Sequence, residues 1–126
     1  MKNVYCFSIF ILILALFLGC TAGNVPVSDR LYTWEHDGFG SDFTITLYAD
    51  GTFSYYEGML SSYIGAGTWT EENRIITLKD NTGLVLVNHF RFDDGDLIFM
   101  EENSDNFLYV DVRNGDRFHG APITTE

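Results

Sequence analysis

The chain has 126 residues, 46% hydrophobic and 16% aromatic, with 18 acidic residues against seven basic ones and a net charge of −11. This length allows one small domain, and the acidity excludes a nucleic-acid-binding or anionic-lipid-binding surface, both of which need basic patches. Both cysteines, Cys6 and Cys20, fall in the first 20 residues, so the rest of the chain holds no disulfide, catalytic thiol or cysteine metal site.

Residues 1–19 read as a leader. Lys2 precedes an apolar run from Val4 to Leu18, broken only by Ser8. The run is short for a membrane span, which needs about 20 apolar residues, and fits the core of a signal peptide. It ends in Leu16-Phe17-Leu18-Gly19-Cys20, which resembles a bacterial lipobox, with Phe17 where that family usually has Leu. The resemblance implies cleavage before Cys20, acylation of Cys20 with palmitate-type chains, and export to the outer side of the cell membrane. An uncleaved N-terminal anchor is the other reading, and it also puts the domain outside the membrane. Loss of Lys2 with the leader leaves six basic against 18 acidic residues and a net charge of −12. Such acidity fits solubility, spacing from an anionic surface, or a cationic partner. Residues 20–30 read as a tether of small and polar residues, 31–118 as the domain and 119–126 as a frayed tail.

The domain opens with a strand at Leu31–His36, then a Gly-rich connection from Asp37 to Ser41. Phe43, Ile45 and Leu47 alternate with Thr44, Thr46 and Tyr48; after Asp50-Gly51, Phe53 and Tyr55 alternate with Thr52, Ser54 and Tyr56. Period-2 alternation marks half-buried strands, and Asp-Gly between them predicts a tight hairpin with both central residues at positive φ. Gly58–Ile64 reads as a loop or irregular strand, and Gly65-Ala66-Gly67 leads into a short strand at Thr68–Thr70. Arg74–Lys79 follows, then a turn at Asp80–Gly83. Leu84–Phe92 is predicted as the longest strand, with Leu84, Leu86, Asn88, Phe90 and Phe92 on the core face. Asp93–Asp96 turns into Leu97–Glu101. Phe107–Arg113 reads as the last clear strand, with a short addition at Asp116–Phe118. Eight or nine short strands with no helical period outside the leader predict an all-β fold, a small antiparallel up-and-down barrel of about eight strands. The expected core is Phe43, Ile45, Leu47, Phe53, Trp69, Ile76, Leu78, Leu86, Phe90, Phe99, Leu108 and Val110.

Leu47-Tyr48-Ala49-Asp50-Gly51-Thr52-Phe53, Gly67-Thr68-Trp69 and Ile75-Ile76-Thr77-Leu78 resemble the N-terminal barrel of the lipocalin-like envelope-stress and copper-resistance lipoproteins. The resemblance covers about residues 31–80 and implies the barrel fold. That family's Cys-x-x-Cys has no counterpart in the loop at 37–41, so copper chemistry does not carry over. Tyr56-Glu57-Gly58, Ser61-Ser62-Tyr63-Ile64-Gly65, Trp69, Ser104-Asp105-Asn106-Phe107 and Gly115-Asp116 resemble extracytoplasmic bacterial domains, some of which trail antirepressor-type metallopeptidase sensors. That second resemblance implies a sensor or binding accessory rather than a catalyst.

No motif carries catalysis. Ser61 and Ser62 lack a neighbouring base or nucleophile elbow, and the spacing of Glu57 to any Asp is not readable from sequence. No cofactor is expected. His36, Asp37, Asp42, His89 and His119 lack metal-ligand spacing, and Asp93, Asp94, Asp96, Glu101, Glu102 and Asp105 lack the calcium loop. The expected binding surface is Tyr56, Ser61, Ser62 and Tyr63 with Asn106 and Phe107, a mixture of aromatic and hydroxyl groups suited to adaptable recognition. Alternatively Tyr63 and Ile64 fold over the barrel end as a plug. The functional expectation is a membrane-anchored binding or sensing module without enzymatic activity, its partner a protein or small molecule. The alternative is a carrier of a small apolar ligand inside the barrel.

Overall fold

The computed structural model describes residues 28–37, 42–58 and 63–122. The leader, Cys20, Ser61 and Ser62 lie outside them. Eight antiparallel strands run in sequence order and close into a barrel. They are β1 (Arg30–Trp34), β2 (Thr44–Leu47), β3 (Thr52–Tyr56), β4 (Ile64–Glu72), β5 (Ile75–Asp80), β6 (Val87–Asp93), β7 (Asp96–Met100) and β8 (Arg117–Pro122). Each pairs with its neighbour, and β8 returns to β1 with Arg30 opposite Pro122 and Trp34 opposite Phe118. The expected all-β barrel is therefore the fold.

The two ends differ. One carries tight connections at 48–51, 73–74 and 94–95, and the other carries the long ones at 35–43, 57–63, 81–86 and 101–116. Asn73 and Arg74, and likewise Asp94 and Gly95, have both central residues at positive φ, the geometry that matches strand twist in a two-residue hairpin. At Asp50-Gly51 only Gly51 does so, at φ +88°. The turn there is wider than expected because the Asp50 carboxylate accepts the Thr52 N–H and hydroxyl.

An eight-stranded barrel has an interior that side chains can just fill, and aromatic rings fill this one. Phe118 meets Phe43 at 5.2 Å and Phe90 at 5.5 Å between ring centres, and Tyr55 meets Phe43 and Phe53. Tyr32, Trp34, Ile45, Leu47, Ile76, Leu78, Leu97 and Phe99 are buried with them. Glycine makes room for them. Gly65 and Gly67 point inward from β4; a Cβ on Gly65 would overlap the Tyr55 ring, and one on Gly67 would overlap the Lys79 carbonyl.

Several sequence expectations are corrected. Asp29 and Arg30 belong to the barrel rather than a tether, Asp29 accepting the Ala49 N–H at 2.8 Å. The glycines at 65–67 lie within β4, the longest strand, which starts at Ile64. Leu84 and Val85 are not strand residues but exposed loop residues, because the Asp80 carboxylate holds the Thr82 N–H and hydroxyl in a local turn that keeps both out of the sheet. Phe107–Arg113 is not a strand: a glutamate side chain takes its backbone donors. Leu108 is exposed, and Val110 and Leu86 are half-buried. Trp69 is half-buried too, closing the tight-turn end with its indole N–H on the Tyr48 carbonyl at 2.8 Å. Residues 119–122, expected to fray, belong to β8. Its Arg117 and His119 bind Asp96, and the Gly120 N–H reaches the other oxygen of that carboxylate. Burial works to raise the Asp96 carboxyl, but the Gly120 amide, Arg117 and His119 together hold it below the usual range.

Phe90 touches rings from β7, β8 and the long connection. Phe90→Ala is expected to cost about 3–5 kcal/mol in urea denaturation, through lost transfer energy and a residual cavity. Gly67→Ala should cost ~1–3 kcal/mol by overpacking against backbone that cannot move aside; an unchanged midpoint would show that β4 and β5 separate freely there.

Candidate functional site

The long-loop end is organised by two buried carboxylates. Glu57 leaves β3 toward the barrel mouth and is only 2% exposed. Its oxygens accept the backbone N–H groups of Leu108 at 3.4 Å and Tyr109 at 2.7 Å, and the Val110 N–H also acts on it. Three successive N–H groups of one loop thus wrap one carboxylate, an anion nest built from the chain itself. Burial pushes the Glu57 carboxyl up and the nearby Asp80 charge adds to this, while the three amides pull it down; the net shift is upward.

Asp80 ends β5 on the same side. It accepts hydrogen bonds from the Tyr55 hydroxyl at 3.1 Å, the Tyr63 hydroxyl at 2.6 Å, and the Thr82 N–H and hydroxyl. Burial works to raise its carboxyl, but the donors from Thr82, Tyr63 and Tyr55 outweigh that and hold it below the ordinary value. Burial first, and the Asp80 charge second, push the Tyr55 hydroxyl far up, so it stays protonated as a donor.

These anchors hold the 101–116 connection across the mouth. Phe107 drops from it into the barrel, 4.9 Å from Phe43, 5.5 Å from Tyr55 and 5.6 Å from Phe99 between ring centres. Its other supports come from β6: the Val87 N–H donates to Asp105, the Asn88 amide to the Asp105 carbonyl, and the His89 N–H to Ser104. Asn88 is a buried core amide whose Oδ1 lacks a partner among the described residues.

The residues expected to form a binding surface separate accordingly. Phe107 is the plug, not a surface aromatic, which corrects its expected role: its ring gains more from the other rings than from water. Tyr63 is half-buried and tied to Asp80, with Thr82 beside it, so it supports the mouth, whereas Ile64 beside it is exposed. Asn106 is exposed and Tyr56 half-buried. Nothing in the sequence pattern marks Glu57 as the acceptor for this loop or Tyr109 as an exposed ring beside Tyr63. Nor do the histidines assemble a centre. His36 stacks on Trp34, His89 bonds Thr77, and among the described residues no group of three His, Cys, Asp or Glu gathers for a metal ion. A hollow of about 540 Å³ lined by Arg74, Ile75, Arg91 and Met100 lies outside the barrel wall, where Arg91 alternates with buried Phe90. No protein-family model, curated protein or solved structure matches the chain.

The two carboxylates act oppositely with pH. The Glu57 carboxyl is raised, so its stabilising contribution is complete below about 4.5, its ordinary value, and is lost as pH rises through the folded-state value. The parent should therefore lose stability relative to Glu57→Gln as pH rises above about 4.5, measured by urea midpoints. The Asp80 carboxyl is lowered, so its contribution is present above its ordinary value and disappears on further acidification. Asp80→Asn should remove that acid-side loss. A gap between Glu57→Gln and parent that is flat with pH would mean Glu57 titrates as in the unfolded chain.

Proposed function

We propose that this chain is a lipid-anchored extracytoplasmic binding or sensing module that works from the long-loop end of its barrel, with no catalytic role. The observation that supports this most is the asymmetry of the barrel. The long connections and most exposed large apolar side chains gather at one end, while the chain enters β1 at the other, where Arg30 faces Pro122. An anchor at Cys20 would thus hold the tight-turn end toward the membrane and leave the loop end facing outward. Loops on a rigid scaffold are where recognition concentrates. The apolar-cargo carrier needs an internal cavity of a few hundred Å³, and the ring contacts along the barrel weigh toward a module working from its surface instead.

The anchor is tested by mass spectrometry of membrane fractions. Acylated Cys20 as the first residue is expected, and Cys20→Ser should release the domain or leave the precursor uncleaved; an unmodified, soluble full-length chain would refute it. The working end is tested by photo-crosslinking probes at Tyr109 and, on the opposite end, Glu72. Adducts from Tyr109 are expected. Adducts from Glu72 alone would assign the wrong end.

A further inference from the structure

The loop end exposes apolar surface from three separate elements. Ile64 is 60% exposed, Leu84 54%, Val85 71%, Leu108 43% and Tyr109 62%. They come from the start of β4, the 81–86 connection and the 101–116 connection, which the topology brings to one end. Apolar groups gathered at one end and bordered by polar residues mark interaction surfaces, whereas scattered ones need no explanation.

Val85 stands out among them. Its φ is +52°, a conformation that a β-branched residue rarely adopts and that costs free energy wherever it occurs. Burial does not compensate, because the side chain is turned to solvent. The conformation is held from both sides: the Asp80 N–H donates to the Leu86 carbonyl, and the Asp80 carboxylate fixes Thr82. The fold thus holds an apolar side chain outward in a strained loop.

The charge on the longest connection is mostly of one sign. The 101–116 connection carries Glu101, Glu102, Asp105, Asp111 and Asp116 against a single base, Arg113, which is already paired with Asp111. A second copy of this chain would set acid against acid, and an anionic bilayer would be repelled in the same way. The mouth itself is filled by Phe107, so the surface offers an extended partner contact area instead of the concavity a small ligand needs.

We infer that the loop end docks a cationic peptide segment bearing apolar side chains, with Val85, Leu108 and Tyr109 as its apolar contacts and Glu101 and Glu102 attracting its charge. This rests on the reading of the loop end as the working surface and names the partner's chemistry.

The test is fluorescence anisotropy of a labelled alternating lysine–leucine peptide, titrated with the full-length protein in zwitterionic nanodiscs against empty nanodiscs. Saturable binding that weakens with added salt is expected. Val85→Asn, a residue that tolerates positive φ, should weaken binding about tenfold while leaving the melting temperature unchanged or higher. Tyr109→Ser keeps the backbone N–H that Glu57 holds and should act similarly. Joint neutralisation of Glu101 and Glu102 should weaken binding, and that of Glu71 and Glu72 at the opposite end should not. Equal losses from both ends, or no binding, overturn the inference. Equal binding of a glutamate–leucine peptide overturns the cationic assignment and leaves the loop end as a binding surface. If both peptides bind as before to Val85→Asn and Tyr109→Ser, the working surface falls too.

Discussion

The structure depends on filling a closed cylinder. Eight strands leave an interior with room for side chains and little else, so the inward residues of every strand must match one another in size. Here the match is rings against glycines: Tyr55 occupies the space that Gly65 leaves open, and Phe43, Phe90 and Phe118 meet edge to face near the centre. Phe107 completes the filling from outside the sheet. The loop that carries it is thereby committed to the mouth, and its freed backbone donors need an acceptor there. Glu57 is that acceptor. A core-packing requirement thus places a buried carboxylate, and that carboxylate positions the exposed residues beside it.

Sequence periodicity exposed the parts of the fold that rest on alternation. Phe43, Ile45, Leu47, Phe53, Ile76, Leu78, Phe90 and Phe99 were expected inside and are buried. The sequence hid what rests on side-chain hydrogen bonds to backbone. Phe107–Arg113 alternates like a strand, yet its amides bind Glu57 instead of a neighbour. Leu84–Leu86 extends an apolar run, yet Asp80 holds the preceding residues in a turn. Conversely, Arg117–Pro122 lacks apolar alternation, its one large inward side chain being Phe118 and its polar residues held by Asp96. The candidate surface was legible only as composition: aromatics near Tyr63 and Phe107 were visible, but their roles as support and plug depended on Asp80 and on the barrel interior.

The two ends are built on different terms. At the tight-turn end, positive-φ residues and short hairpins save chain and fix register. At the other end the chain spends longer connections, a strained Val85 and exposed apolar surface. Local departures from folding rules of this kind are expected where a protein serves a purpose beyond its own stability.

The seam between β1 and β8 also governs how the barrel is reached. Every other pairing joins strands adjacent in sequence, so hairpins can form and add to one another over connections far shorter than the domain. The β1–β8 pairing brings together the first and last strands and must close a loop the length of the domain, at an entropic cost that short-range contacts do not carry. Until it forms, both strands present unpaired edges. The polar clamp of Asp96 on Arg117, His119 and Gly120 holds β8 on β7, so the final strand can be docked on one side while its other edge awaits β1. Closure then becomes a late, cooperative event, and the interval before it is the stage most exposed to strand exchange between molecules.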